Sequence, residues 1–253
     1  MIRIILNGCN GRMGQVISRL SKEDGDVSIV AGVDISIDKF KNDYPVYSTL
    51  DEVLEEAQVI IDFTNINGLP TLLESALGRK TPLVICTTGQ SPEDKEKIKA
   101  AAEKIPVLTS ANMSIGINLL LSLVKSAARA LEDSFDIEIV EKHHNQKVDS
   151  PSGTALAIAD SINSGLEKPK EYIYGRHSKT DKRTSGEIGI HAIRGGNIVG
   201  DHSVIFAGLG EVIEINHSAI SRDVFGVGAI KAAKYLYDKR PGLYTMDNVV
   251  NDK

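Results

Sequence analysis

The chain has 253 residues, 42% of them hydrophobic, which is enough to bury one large core or two small ones. A formal net charge of −5 leaves no basic footprint for a nucleic acid, and two distant cysteines, Cys9 and Cys86, offer neither a disulfide framework nor zinc-ligand spacing. No metal site is therefore expected, and the cysteine usage suits a reducing cytoplasm. The opening residues lack the length and cleavage site of a signal peptide, and the most apolar stretch, 115–124, is too short to span a bilayer, so no membrane partner is expected either.

Residues 2–6 form a short β-rich run followed at once by Asn7-Gly8-Cys9-Asn10-Gly11-Arg12-Met13-Gly14 and a helix-like segment to Leu20. In this strand, glycine turn and helix, Gly8 allows the tight turn, Gly11 lets backbone approach a pyrophosphate, and Gly14 permits close packing of helix on sheet. The spacing, G-x-x-G-x-x-G, is a variant of the dinucleotide fingerprint and taken alone fits an ordinary strand-to-helix turn equally well. A second apolar run, 27–33, ends in Asp34, where an acidic residue would meet the adenosine ribose hydroxyls. The alternation continues with a buried strand at 59–64, a helix at 69–77 and a strand at 83–86. A helix then opens at Ser91-Pro92-Glu93 and runs to about 104, and a strand follows at 107–109. This is a doubly wound parallel sheet. Ligands bind such sheets beyond the carboxyl ends of the strands, which is where Gly8, Cys9, Asn10, Gly11, Arg12, Met13, Asp34, Phe63, Thr64, Thr87, Thr88, Ser110, Ala111, Asn112 and Met113 fall.

The second half changes pattern. A long amphipathic helix at 115–131 and a strand at 135–141 lead into EIVEKHHNQKVDSPSGTA, residues 138–155, which joins a strand end to a helix start. His143 and His144 are adjacent, so a continuing strand would point them to opposite sides. Lys147 adds a charge, and Ser150 to Thr154 offers hydroxyls and backbone N–H groups at a helix N-terminus, suited to a carboxylate or phosphate. A capped helix with two satisfied histidines is the plainer reading of the same residues. Three β-rich runs follow, 188–194, 198–206 and 211–217, without intervening helices, which implies an α+β unit with a mixed or antiparallel sheet. Residues 168–183 carry few apolar anchors and read as a long mobile or partner-contacting loop. A helix at 224–236 returns to the first domain. The expected division is 1–114 with 222–253 as a dinucleotide-binding domain, and 115–221 as a domain for substrate binding and oligomerisation.

Taken together, G-C-N-G-R-M-G, D-F-T, T-T-G, S-A-N-M-S-I-G and above all E-K-H-H-N-Q-K-V-D-S-P-S-G-T-A make the chain resemble the dihydrodipicolinate reductase (4-hydroxy-tetrahydrodipicolinate reductase) family over nearly its whole length. The resemblance implies a Rossmann-type first domain and reduction, with NADH or NADPH, of the cyclic dicarboxylate made from pyruvate and aspartate semialdehyde, on the route to diaminopimelate and lysine. It also implies a homotetramer joined through the second domain. Residue by residue, it assigns Gly8 to Met13 to the pyrophosphate, Asp34 to the ribose, and Cys86 to Thr88 with Ser110 to Met113 to the nicotinamide side. His143 and Lys147 would be catalytic, while His144, Gly153 and Thr154 would bind substrate with Ser152 assisting. Cys86 stands where the family usually has glycine, so a small local shift is expected there.

The chemistry fits these assignments. Reduction of a conjugated imine and loss of a hydroxyl both need a proton, which a positioned histidine supplies at neutral pH, and Lys147 would stabilise charge on the substrate or donate a proton itself. Asp34 followed by Ile35 favours a free 2′-hydroxyl over a 2′-phosphate, so NADH is expected to serve at least as well as NADPH; Lys39 and Lys41 would compensate in part, or, on the plainer reading, are solvated loop charges. Two rivals are another dehydrogenase on the same two-part plan and a dinucleotide-sensing regulator without turnover. The H-H-x-x-K and P-S-G-T run opposes the first, and the absence of a basic stripe opposes a DNA-binding form of the second. A zinc hydrolase on adjacent histidines lacks the i, i+4 ligand spacing.

Overall fold

The computed structural model describes residues 1–252. Its backbone forms two compact units, Met1–Ile115 with the stretch from Arg222 onward, and Gly116–Ser221. The first begins with β1 (Ile2–Asn7), α1 (Arg12–Glu23), β2 (Val27–Val33), β3 (Val46–Tyr47), β4 (Val59–Asp62), α2 (Leu69–Arg79), β5 (Leu83–Ile85), α3 (Pro92–Ala102) and β6 (Pro106–Thr109). The chain then forms the second unit from α4 (Ile115–Leu131), β7 (Asp136–His143), α5 (Gly153–Asn163), β8 (Glu171–Tyr174), β9 (Glu187–Arg194), β10 (Gly200–Ala207) and β11 (Val212–Ala219). It comes back to the first with α6 (Asp223–Leu236), β12 (Gly242–Tyr244) and α7 (Met246–Asn251).

The first sheet is parallel throughout, in the order β12-β6-β5-β4-β1-β2-β3. Its central strands are continuous apolar runs, with every residue of β4 and β5 buried, because both faces are covered. One face packs Ile4, Leu6, Ile61, Val84 and Leu108 against Ile17 of α1 and Ala229, Ala233 and Leu236 of α6. The other packs Ile5, Ile60, Leu83 and Ile85 against Leu72, Leu73 and Ala76 of α2 and Ile98 and Ala101 of α3. Strand order reverses between β1 and β4, and the carboxyl ends of these two strands form the crevice in which doubly wound sheets bind ligands.

The second sheet, β11-β10-β7-β9-β8, is mixed: β7, β9 and β8 run parallel, while β10 is antiparallel to both β7 and β11. Alternation along β7 buries Ile137, Ile139, Glu141 and His143. Ile137 and Ile139, with Ile188, Ile190, Val204 and Phe206, pack against Leu120, Val124 and Ala128 of α4 and Ala155, Ile158, Ala159 and Ile162 of α5.

Residues 168–183 correct the expected loop in part: 175–183 form no helix or strand, but 171–174 form β8. Two arginines tie the segment down: Arg176 to Glu138 (2.7 Å) and Glu187 (3.1 Å), and Arg183 to Asp136 and to Glu138 (3.3 Å). The anchors are ionic rather than apolar, so hydrophobic patterning passes over them. The short β3, β12 and α7 were likewise not anticipated. Among the described residues, no helix is long and apolar enough to cross a membrane.

Candidate active site

Beyond β1, the chain turns through Gly8 at φ +84°, a left-handed conformation natural only to glycine. A Cβ there would also lie 2.8 Å from the carbonyl oxygen of Phe63, beyond β4. The turn delivers Gly11 as N-cap of α1 with no side-chain cap and no acidic residue in the first turn, so the helix start presents backbone N–H groups and its positive dipole end. These features fit a dinucleotide pyrophosphate. The buried Asn10 binds the adjoining loop: its Nδ2 donates to the carbonyls of Ser36 (2.6 Å) and Ile37 (3.3 Å), and its Oδ1 accepts from Asn42 (2.8 Å). Asp34, just after β2, accepts from the N–H groups of Asn10 and Ser36, both at 3.0 Å. Arg12 is exposed and Met13 half-buried at the helix start, and Ile35 is 96% exposed.

At the ends of β4 and β5 a buried carboxylate, Asp62, organises the neighbouring loops. It accepts from Asn7 Nδ2 (2.8 Å), Thr64 Oγ1 (2.7 Å) and Thr87 Oγ1 (2.5 Å). Burial pushes its carboxyl above the ordinary range, against the pull of these hydrogen bonds. Thr87 is thus turned inward, while Thr88 and Ala111 are exposed and Asn112 is half-buried. Ser110 and Asn112 shape their own turn, with Ser110 Oγ donating to the Asn112 carbonyl (2.8 Å) and Asn112 Oδ1 accepting from Ser114 N–H (2.9 Å). Met113 is buried in the core.

In the second unit, β7 ends at His143, and His144 opens a turn in which its carbonyl accepts from Lys147 N–H (3.1 Å). The strand therefore does not continue through both histidines: His143 is buried and His144 is half-buried in the turn. Lys147 Nζ lies 2.7 Å from Asp149, whose carboxyl it holds below the usual range. Ser152 caps α5, its Oγ accepting from Ala155 N–H (3.1 Å), which places the backbone of Gly153 and Thr154 in the first turn. His143 Nδ1 is 2.6 Å from Glu141 Oε2, and Glu141 also receives Arg194 through two 2.7 Å bonds and Ser152 N–H at 2.9 Å. Opposite Glu141 on β10 stands His202, 3.2 Å from Ser152 Oγ, with its ring edge-on to that of His143 at 5.2 Å. Burial, with His143 beside it, lowers His202 to about 4, so it is neutral at neutral pH.

Residues 2–113 match the family described as "Dihydrodipicolinate reductase, N-terminus", and residues 116–250 match "Dihydrodipicolinate reductase, C-terminus". The chain belongs to the dihydrodipicolinate reductase family. A 4-hydroxy-tetrahydrodipicolinate reductase of Caldanaerobacter subterraneus subsp. tengcongensis is 58% identical over 250 residues, covering 99% of this chain and 98% of that protein. Its counterpart in Clostridium tetani is 53% identical over 251 residues, with the same two coverages. Among solved structures, the dipicolinate-bound dihydrodipicolinate reductase from Paenisporosarcina sp. TG-14 superposes with a TM-score of 0.83 at 25% identity, over 98% of this chain and 99% of that one.

Against this reductase-family background, Cys86 is accommodated inward. It is buried in the core cluster with Val84 and Leu108, and its N–H donates to the Asp62 carbonyl at 3.0 Å. Burial pushes its thiol far up, and burial together with Asp34 raises Cys9 to about 12, so both stay protonated at neutral pH and are poor nucleophiles. Four buried or pairing groups of this reductase escaped the reading from sequence: Asp62, Glu141, Arg194 and His202. For Glu141 a signal existed, because strand alternation sets it on the buried face with His143. For Arg194 and His202 the signal lies in strand register, which one sequence does not reveal.

Proposed function

We propose that this protein reduces 4-hydroxy-tetrahydrodipicolinate to tetrahydrodipicolinate with loss of water, using a nicotinamide dinucleotide, in diaminopimelate and lysine biosynthesis. The observation that carries this reading is His143, seated on a buried carboxylate and followed within one short segment by Lys147 and the Ser152-capped start of α5. In this reading the first unit binds the dinucleotide and the second the substrate, which also joins subunits into a cytoplasmic homotetramer.

The nicotinamide, when bound in its reduced form, supplies the hydride. The backbone of Gly8 to Met13 would hold the pyrophosphate, and the backbone of Cys86 to Thr88 and of Ser110 to Met113 would line the nicotinamide side, the side chains of Cys86, Thr87 and Met113 being turned into the core. One substrate carboxylate lies at the N–H groups of Gly153 and Thr154, favoured by the helix dipole, with His144 alongside. The other meets Lys147, which exchanges its contact with Asp149 for the substrate. Ser152 N–H and Oγ serve Glu141 and the α5 cap, so this residue assists by shaping the turn. His143 delivers the proton.

Asp34 sets the cofactor preference. Its two oxygens retain acceptor capacity for the ribose hydroxyls, and its charge repels a 2′-phosphate. The test couples purified protein to a synthase that makes the cyclic substrate from pyruvate and aspartate semialdehyde, following the absorbance of each cofactor. Synthase-dependent oxidation is expected, with NADH turned over at least as fast as NADPH. No oxidation of either by folded protein overturns the function, and a strong NADPH preference overturns the role of Asp34.

A further inference from the structure

We propose that Glu141, clamped by Arg194, is the positioning residue that fixes Nε2 of His143 as the proton-donating atom, an inference that rests on His143 being the acid of the proposed reaction.

Glu141 and His143 share the buried face of β7, two residues apart, and Glu141 is 0% exposed. A carboxylate so placed persists only with partners for its lone pairs. It has four: two parallel bonds from Arg194, the Ser152 N–H, and His143 Nδ1. Burial works to raise its carboxyl, but the bonds from Arg194, His143 and Ser152 outweigh burial and hold it below the usual range. An ionised carboxylate only accepts, so the atom facing it, Nδ1, carries a proton in both charge states of the imidazole. Nε2 is then the atom that gains and loses the second proton. When His143 gives that proton to the substrate, the ring is left neutral with Nδ1–H still on Glu141.

Arg194 is itself fixed. It sits beside His143 in the parallel register of β7 and β9, and also donates to the carbonyls of Asp149 (2.6 Å) and Ile193 (2.9 Å). The clamp therefore reaches the loop that carries Lys147. From β10, Gly200 leaves open the space beside Nε2, since a Cβ at that position would lie 3.0 Å from it. The charged or titratable groups around His143 are Glu141 on β7, Arg194 on β9 and His202 on β10, with His217 of β11 behind His202 and Lys147 and Asp149 in the loop. His202 is neutral, and Glu141 is the carboxylate in direct contact with the His143 ring, at Nδ1.

The experiment compares full-length wild type and Glu141→Gln in the coupled assay across pH. Expected are a fall in kcat of about tenfold or more and a move of the alkaline limb of the kcat profile to lower pH by roughly one unit, with NADH affinity unchanged. An unshifted limb in folded Glu141→Gln overturns the proposal, whatever the size of the rate loss. If that variant does not fold, nitrogen-15 NMR of histidine-labelled wild type decides: neutral His143 protonated on Nδ1 supports the proposal, and protonation on Nε2 overturns it. His143→Gln with near-normal turnover would instead overturn the reading of the reaction, leaving the tautomer result standing.

Discussion

His143→Gln is expected to lower kcat by about two to four orders of magnitude, the usual contribution of a positioned general acid, while leaving the fold and NADH binding intact. The substitution keeps a side chain that can hydrogen-bond Glu141, so the buried carboxylate is not orphaned and the loss reports chemistry rather than unfolding. Steady-state rates in the coupled assay, with a circular dichroism melt as control, check it; near-normal turnover in folded protein removes His143 from the mechanism. Lys147 is separated in the same assay. If it stabilises charge developing in the transition state, Lys147→Ala lowers kcat, whereas a raised KM at unchanged kcat reassigns it to binding alone.

Asp62→Ala is expected to destabilise the protein by about 3 kcal/mol or more, because it strips the buried ends of β1, β4 and β5 of a shared acceptor. Asn7, Thr64 and Thr87 each lose their bond to Asp62, and an unsatisfied buried polar group costs about 1–3 kcal/mol. Asp62→Asn should be far milder, since its carbonyl still accepts from Asn7 and Thr64 and its amide can donate to a reversed Thr87 hydroxyl. The pair also differs in pH response. Asp62 has its carboxyl raised in the fold, so between the ordinary aspartate range and the higher folded value the native state holds a proton that the unfolded chain has released. Stability from this group is present below that window and is lost as pH rises through it, whereas Asp62→Asn lacks the loss. Urea unfolding at a series of pH values checks both claims. Equal stability of the alanine and asparagine variants would show that Asp62 organises nothing.

The wound unit was readable because its strands are continuous apolar runs broken by glycine, proline and capping residues at the expected offsets. Ser91, Pro92 and Asp94 form such a start, with Ser91 accepting from Asp94 N–H and Asp94 closing the capping box. β3 and β12, two and three residues long and only partly buried, carry neither a periodicity nor the continuous apolar run that marks the equally short β5. The segment around β8 misled because its anchors are Arg176 and Arg183, whose carboxylate partners Asp136 and Glu138 lie far off in sequence on β7. The candidate site divides in the same way. His143, His144, Lys147 and the 152–154 turn are local, and local spacing reveals them. Arg194 and His202 reach the site only through the register of β9 and β10 on β7, a property of the folded sheet.

The return of the chain to the first unit bears on how the protein is made. Ala229, Ile230, Ala232, Ala233 and Leu236 of α6, with Met246 and Val249 of α7, complete the same core that Ile4 and Leu6 begin. At typical ribosomal speeds of about 5–20 residues per second, the intervening 116–221 take roughly 5–20 s to emerge. Through that interval the nascent sheet holds one greasy side partly uncovered and β6 without its β12 neighbour. The second unit, whose strands and helices are contiguous in sequence, is free to close first. The earliest translated half thus waits for the last to complete its core.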